Sequence, residues 1–252
     1  MSVFTVASRD RLRDTLVAAA RADDDVTAAA LVGSGATGTE DRWSDVDLAL
    51  RLAEGADRKS VADRWTEALY AEHDAAHHVE VEADGALFRA FLLADSLQVD
   101  VSFWPADRFR ATQPGFRLLF GAANEPTAPR GPDPERLAAL GWLHALHVRS
   151  ALSRGRWWQA AIMLDGVRDH VVALACLRHG LPPHQGRGVD GLPDAELRAL
   201  AESRAHGIEH DELVRSHGAL LELLSDEISR HDGELARRLA TPMRLLAEME
   251  ST

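Results

Sequence analysis

Apolar residues recur at helical spacing near the start of the chain, where Leu12, Leu16, Val17 and Ala20 predict a helix from about Arg9 to Ala22. A strand is expected over Val26 to Val32, followed by a glycine turn and a second strand over Val46 to Arg51. Val61, Trp65, Ala68 and Leu69 form one stripe, so Lys59 to Ala71 reads as an amphipathic helix. Three strands should follow, His78 to Glu82, Leu87 to Leu93 and Leu97 to Phe103, with turns at Ala83-Asp84-Gly85 and Ala94-Asp95-Ser96. Val79 and Val81 alternate with Glu80 and Glu82, the mark of a half-exposed sheet. This order suits a mixed sheet covered by helices on one face.

The pattern then changes. Gln113-Pro114-Gly115 and the run from Asn124 to Pro134 hold most of the turn chemistry of the chain. Beyond them the periodicity is helical: about Pro134 to Ser153, Arg156 to His179, Asp194 to His206, Asp211 to His231 and Gly233 to Glu250, with a break at Leu181-Pro182-Pro183-His184-Gln185-Gly186. The expected architecture is therefore α+β: a sheet-containing domain over residues 1–112, a linker over 113–133 and an all-helical domain over 134–252.

Composition narrows the setting. The apolar fraction of 46% is that of an ordinary globular protein. Charged residues interrupt the N-terminal stretch and nothing suggests a membrane span, so a cytoplasmic location is expected. Cys176 is the single cysteine, which excludes an intrachain disulfide, and its apolar neighbours read as core. Acids outnumber bases 40 to 28, for a net charge of −12. This balance disfavours a nucleic-acid partner and favours a small or cationic one.

The chemistry lies in Gly33-Ser34, in Ser44-Asp45-Val46-Asp47-Leu48 and, farther on, in Val99-Asp100-Val101. Two carboxylates one residue apart on a strand project from one face, and a third between valines meets them if the sheet brings the strands together. Three converging acids repel one another unless a cation neutralises them, and Mg²⁺ suits an all-oxygen ligand set shared with phosphates. Gly33 lets backbone approach a phosphate, while Ser34 offers a hydroxyl and an N–H. Gly33-Ser34-Gly35-Ala36-Thr37-Gly38 also satisfies G-x-G-x-x-G, but dinucleotide binding needs a helix directly after the glycines. The polar stretch Thr39 to Ser44 predicts none. A glycine-rich turn flanked by solvated acids is the plainer alternative.

Gly-Ser after a strand, then Asp-x-Asp, then a single later Asp resembles the nucleotidyltransferase superfamily that shares its fold with DNA polymerase beta. The resemblance covers roughly the first 105 residues. It implies that Asp45 and Asp47 bind the metals holding a triphosphate. It implies too that Asp100 completes the site, with a part in activating the acceptor hydroxyl, and that Gly33, Ser34 and Ser44 contact the nucleotide. Two Mg²⁺ ions and ATP or another nucleoside triphosphate are the implied cofactor and donor. A helical domain after such a sheet, with a loose likeness around Gly155-Arg156-Trp157-Trp158 and Arg168, is similar to the kanamycin and other antibiotic nucleotidyltransferases. In those enzymes it forms part of the acceptor pocket. The expected reaction is transfer of AMP to a hydroxyl of a small molecule, with an aminoglycoside first in line. A lincosamide or endogenous metabolite, a toxin-type protein or tRNA target, and a non-catalytic nucleotide-binding module stand as alternatives. Two-subunit sites occur in related antibiotic enzymes, which leaves a homodimer open.

Further candidates carry bland readings beside the functional ones. Asp165 and Asp169 lie one turn apart in a row with Trp158, Ile162, Val172 and Cys176, as general base or amine ligand, or simply as partners of Arg168 or another arginine. Glu80 and Glu82 are rival bases or solvated strand acids. Arg42 and Arg168 suit a triphosphate or an ordinary ion pair. His144 with His147 and His206 with His210 lack a third ligand and are not read as metal sites. Trp142, Trp157 and Trp158 read as packing residues.

Overall fold

The computed structural model describes residues 3–112, 115–128 and 131–248. Two compact units divide the chain, Met1–Arg130 and Gly131–Thr252.

In the first unit, α1 (Val6–Ala22) opens with a reciprocal cap. The Thr5 hydroxyl accepts from the Ser8 N–H at 3.1 Å, and Ser8 Oγ accepts from the Thr5 N–H at 2.9 Å. Then come β1 (Val26–Val32), the short α2 (Gly33–Thr37), β2 (Val46–Leu52) and α3 (Arg58–Glu72), followed by β3 (Ala75–Ala83), β4 (Ala86–Leu93), β5 (Gln98–Trp104) and β6 (Phe116–Phe120). Asp84 and Gly85 both have positive φ, 52° and 80°, and close the tight β3–β4 hairpin.

The six strands lie in the order β3-β4-β5-β2-β1-β6. β2 and β5 run parallel, and the other neighbours antiparallel. Period two sends Leu48, Leu50, Val99, Val101 and Phe103 to one face, where α1 and α3 cover them with Leu16, Ala20, Val61, Trp65 and Leu69. A fully buried side chain such as Phe103 contributes about 2–3 kcal/mol. The opposite face is open, with a small cluster of Ala28, Ala30, Ala49 and Phe109.

Two expectations change here. Residues 116–120, inside the stretch read as a linker, form the edge strand β6, with Val32 opposite Phe116 and Leu31 opposite Arg117. Five residues flanked by Pro and Gly give too little alternation to be seen. The expected glycine turn is a short helix, Gly33–Thr37, because φ of +61° at Gly33 turns the chain sharply out of β1, while Thr39 to Ser44 form no helix, as expected. The dinucleotide reading fails on topology as well: β1 and β2 are antiparallel, whereas that motif needs a parallel crossover unit. The turn readings at Gln113-Pro114 and at Pro129-Arg130 lie outside the described residues.

The second unit is helical: α4 (Pro134–Leu152), α5 (Trp157–Arg178), α6 (Asp194–Ser203), α7 (His210–His231) and α8 (Gly233–Ala247). Residues 249–252, which include the expected end of the last helix, lie outside the described residues. Pro134 occupies the first turn of α4, and the Asp133 carboxylate accepts from the Glu135 N–H at 3.0 Å. Ala145, Val148, Leu164, Val171, Leu213, Leu220 and Leu224 form its core. Arg178 on α5 reaches Glu227 on α7 and Glu196 on α6, each at 2.8 Å.

Candidate active site

Parallel pairing of β2 with β5 sets Asp47 directly opposite Asp100, both on the open face of the sheet. Asp45 precedes Asp47 by two residues and shares its side. One carboxylate oxygen from each of Asp45, Asp47 and Asp100 lies within 4.8 Å of the others. This is the one such cluster of potential metal ligands among the described residues. Burial pushes the Asp100 carboxyl above the ordinary range, and the nearby Asp45 charge adds to the shift. Gln98, two residues back on β5, offsets part of it by donating from Nε2 to both Asp100 oxygens at 3.1 and 3.0 Å.

Gly33 sits against this group: a Cβ there would lie 2.7 Å from Asp47 Oδ2. Its N–H donates to the Gly115 carbonyl at 3.1 Å, and a Cβ on Gly115 would come within 3.0 Å of the Gly33 carbonyl oxygen. The two glycines therefore pack backbone on backbone beside the acids. Next to them the open face carries a cleft of about 240 Å³, lined in part by Gly33, Ser102, Trp104, Phe109, Arg110 and Phe116.

The loop that delivers Asp45 is fastened from below. Arg9 of α1, 3% exposed, donates to the Asp41 carbonyl at 2.6 Å, and Arg13 meets Glu40 at 2.9 Å. Within the loop, the Ser44 hydroxyl accepts from the Asp41 N–H at 2.8 Å and donates to the Asp41 carboxylate at 3.2 Å.

Residues 13–117 match the family model of the nucleotidyltransferase domain. The first unit carries a nucleotidyltransferase domain. Solved structures similar to the chain include an aminoglycoside 6-adenyltransferase from Bacillus subtilis, at 13% identity and a TM-score of 0.40, covering 92% of this chain and 96% of that one. A nucleotidyltransferase-like protein from Exiguobacterium sibiricum 255-15 is similar at 12% identity and a TM-score of 0.39, covering 89% of this chain and 77% of that one. No curated protein matches the sequence.

Within the nucleotidyltransferase domain, Gly33 and Ser34 open α2 after β1, Asp45 lies in the loop directly before β2, and Asp47 and Asp100 lie on the adjoining strands β2 and β5. Ser44 is engaged in the turn just described. Arg42 stacks over the ring of Trp43, 4.6 Å from its centroid, and that ring is 67% exposed. Glu80 and Glu82 do not join the acids. The β3–β4 register places both on the helix-covered face, where Glu80 accepts from Arg89 Nε at 2.8 Å and Glu82 pairs with Arg58 at 2.9 Å. Arg89 is buried under α3 and holds Asp63 as well, at 2.7 Å.

In the helical unit, the row on α5 is exposed over its first half, with Trp158 at 68% and Ile162 at 60%, and turns into the core at Val172 and Cys176. Asp165 and Asp169 are exposed too, and Asp165 takes Arg168 at 2.6 Å. Trp142 and Trp157 pack against the core as expected, and Trp158 does not. Cys176 is fully buried, and burial pushes its thiol pKa up. Arg9, Gln98 and Gly115 went unnoticed in the sequence. Gln98 was within reach of period-two reasoning from Asp100; the other two meet the site through long-range contacts that no local pattern announces.

Proposed function

We propose that the nucleotidyltransferase domain moves a nucleoside monophosphate, AMP from ATP in the first instance, to a hydroxyl of a small molecule with release of pyrophosphate. The observation that carries this reading is the convergence of Asp45, Asp47 and Asp100 beside Gly33. The residues fit a divalent ion: all the donors are carboxylate oxygens, grouped on the open face, and their mutual repulsion needs a cation to offset it. Asp45, Asp47 and Asp100 would hold Mg²⁺. Bound there, Mg²⁺ supplies charge neutralisation at the triphosphate and polarisation of its phosphorus–oxygen bonds. Gly33 leaves room for the Asp47 carboxylate beside the backbone, and Ser34 offers its N–H and hydroxyl at the opening of α2. Gln98 holds Asp100 in one orientation.

For the acceptor we favour an aminoglycoside. The net charge of −12 suits a polycation, and the sequence resemblance points the same way. Purified protein and its Asp47→Asn variant are incubated with Mg²⁺, each nucleoside triphosphate and a panel of aminoglycosides and lincosamides, with pyrophosphate release and product masses as readouts. A drug that gains one nucleotide with the wild type alone establishes the reaction. Mg²⁺-dependent nucleotide binding without transfer to any drug keeps the site and discards the acceptor; absence of binding discards both.

A further inference from the structure

β3 is an edge of the sheet, with β4 on one side and no strand of the described residues on the other. An edge of this length offers a row of unpaired backbone groups, and proteins commonly blunt such edges with proline, lysine, inward charges or bulges. A register shift at the start of β3, between Ala75 and His77, leaves a regular ladder from His77 to Ala83 that holds no proline, glycine or lysine. Its open face is apolar and exposed: Val79 is 58% exposed and Val81 53%, and Leu92 on β4, opposite His77, is 52% exposed. The charges on its other face are already answered, Glu80 by Arg89 and Glu82 by Arg58. Both carboxylates stay partly exposed beside their arginines, so they tolerate a neighbouring strand but still disfavour a like charge set directly opposite.

From this edge we infer a homodimer: two copies of the chain pair their β3 strands antiparallel about a two-fold axis at Val79, joining two six-stranded sheets. Charge excludes two registers, and an axis at Val79, the midpoint of β3, pairs the strand over its whole length. With the open faces on one side, residues of equal parity oppose one another. An axis at Glu80 would set Glu80 against Glu80 of the second copy, and an axis at Val81 would set Glu80 against Glu82 twice; like charges directly opposite are destabilising. An axis at Val79 sets Val79 on Val79, His77 on Val81 and His78 on Glu80 of the second copy. Apolar meets apolar on the open face, and a hydrogen-bonding donor meets a carboxylate on the other. The inference does not depend on the proposed activity, since it uses none of the acids at the site.

Sedimentation velocity of the full chain over about a hundredfold range of concentration tests it, because a dimer grows by mass action. The wild type should move from monomer to dimer, and Val79→Lys should weaken association at least about tenfold, which corresponds to 1.4 kcal/mol. Val79→Cys and Glu82→Cys test the register; native Cys176 is buried and leaves each introduced thiol alone at the surface. Under mild oxidation Val79→Cys should give a disulfide-linked dimer, as facing Cβ atoms across a ladder lie about 4.5–5.5 Å apart. Glu82→Cys should not, because the two copies of residue 82 would be offset by about 20 Å along the strand. A wild type that stays monomeric throughout overturns the inference. So does dimerisation untouched by Val79→Lys, and so does equal cross-linking of the two cysteine variants.

Discussion

The carboxylate of Asp47 occupies the space that a side chain on Gly33 would need: a Cβ built there lies 2.7 Å from Asp47 Oδ2. Real Cβ atoms do not approach that closely, and at φ of +61° the backbone of residue 33 also disfavours any L side chain. Glycine is therefore required twice, by conformation and by contact with a proposed metal ligand.

Gly33→Ala should lower stability by about 2 kcal/mol, the cost of a left-handed alanine plus displacement of Asp47. The damage should also reach Mg²⁺ binding, since the carboxylate that moves is one of the three. Gly38, with φ of +71° and nothing near its absent Cβ, supplies the control. Gly38→Ala should show the conformational loss in a denaturant titration while Mg²⁺ affinity stays at the wild-type value. Equal losses of affinity in the two variants would refute the contact argument.

Asp100 carries a second prediction, about the metal-free protein. Its pKa is raised in the folded state by burial and by Asp45, so the unfolded chain gives up this proton more readily. Stability from this group is therefore present at low pH and lost as pH rises from 3.8 through the higher folded value. At neutral pH without Mg²⁺, Asp100→Asn should melt above the wild type. Adding Mg²⁺ should reverse the order: a ligand at a hundred times its Kd stabilises by about 2.7 kcal/mol, and the variant should respond weakly. Thermal melts with and without Mg²⁺ measure both halves, and an unchanged wild-type midpoint in Mg²⁺ would argue against a cation at the trio.

Arg9 ties the first helix to the loop before Asp45. Its guanidinium is buried and donates to the Asp41 carbonyl at 2.6 Å, while Glu40 keeps Arg13 as a partner. Arg9→Met keeps most of the volume and removes the charged donors, so a loss of about 2 kcal/mol is expected. Pyrophosphate release should fall through weaker Mg²⁺ dependence, because Asp45 follows the loosened turn directly. If excess Mg²⁺ fails to restore any of the lost rate, Arg9 supports the fold and not the position of Asp45.

Much of this was legible because the informative patterns are local. The strand that carries Asp47 and follows directly on Asp45, and the strand carrying Asp100, each declare themselves by apolar residues on alternate positions, and the carboxylates take the remaining side. What sequence could not supply was register. Glu80 and Glu82 alternate as cleanly as Asp45 and Asp47, yet β3 and β4 pair so that they meet Arg89 and Arg58 on the covered face. The row on α5 misled in another way: Trp158 and Ile162 imply burial by composition, and only packing decides which of two adjacent helical stripes faces the core. β6 was hidden by its brevity and by the turn residues on either side. Arg9 and Gly115 act across many residues of chain, where spacing says nothing.

His217 supplies a prediction in the helical unit. It is 1% exposed on α7, and its Nε2 has no hydrogen-bond partner among the described residues. Burial lowers its pKa from 6.5 to about 4, with the Arg149 charge adding to the effect and the Ala145 backbone opposing it. The folded pKa lies below the unfolded one, so between these values the unfolded chain binds the extra proton. Stability from neutral His217 is fully present above pH 6.5 and falls as pH drops towards 4. The full excursion is worth about 3 kcal/mol at most. His217→Leu removes the titration while keeping an apolar side chain in the core. Melting midpoints of both proteins at pH 7.5, about 6 and about 5 should therefore converge or cross as pH falls, the wild type losing more. Parallel curves would mean that the imidazole reaches a proton acceptor or solvent when it charges, and that burial does not hold it neutral.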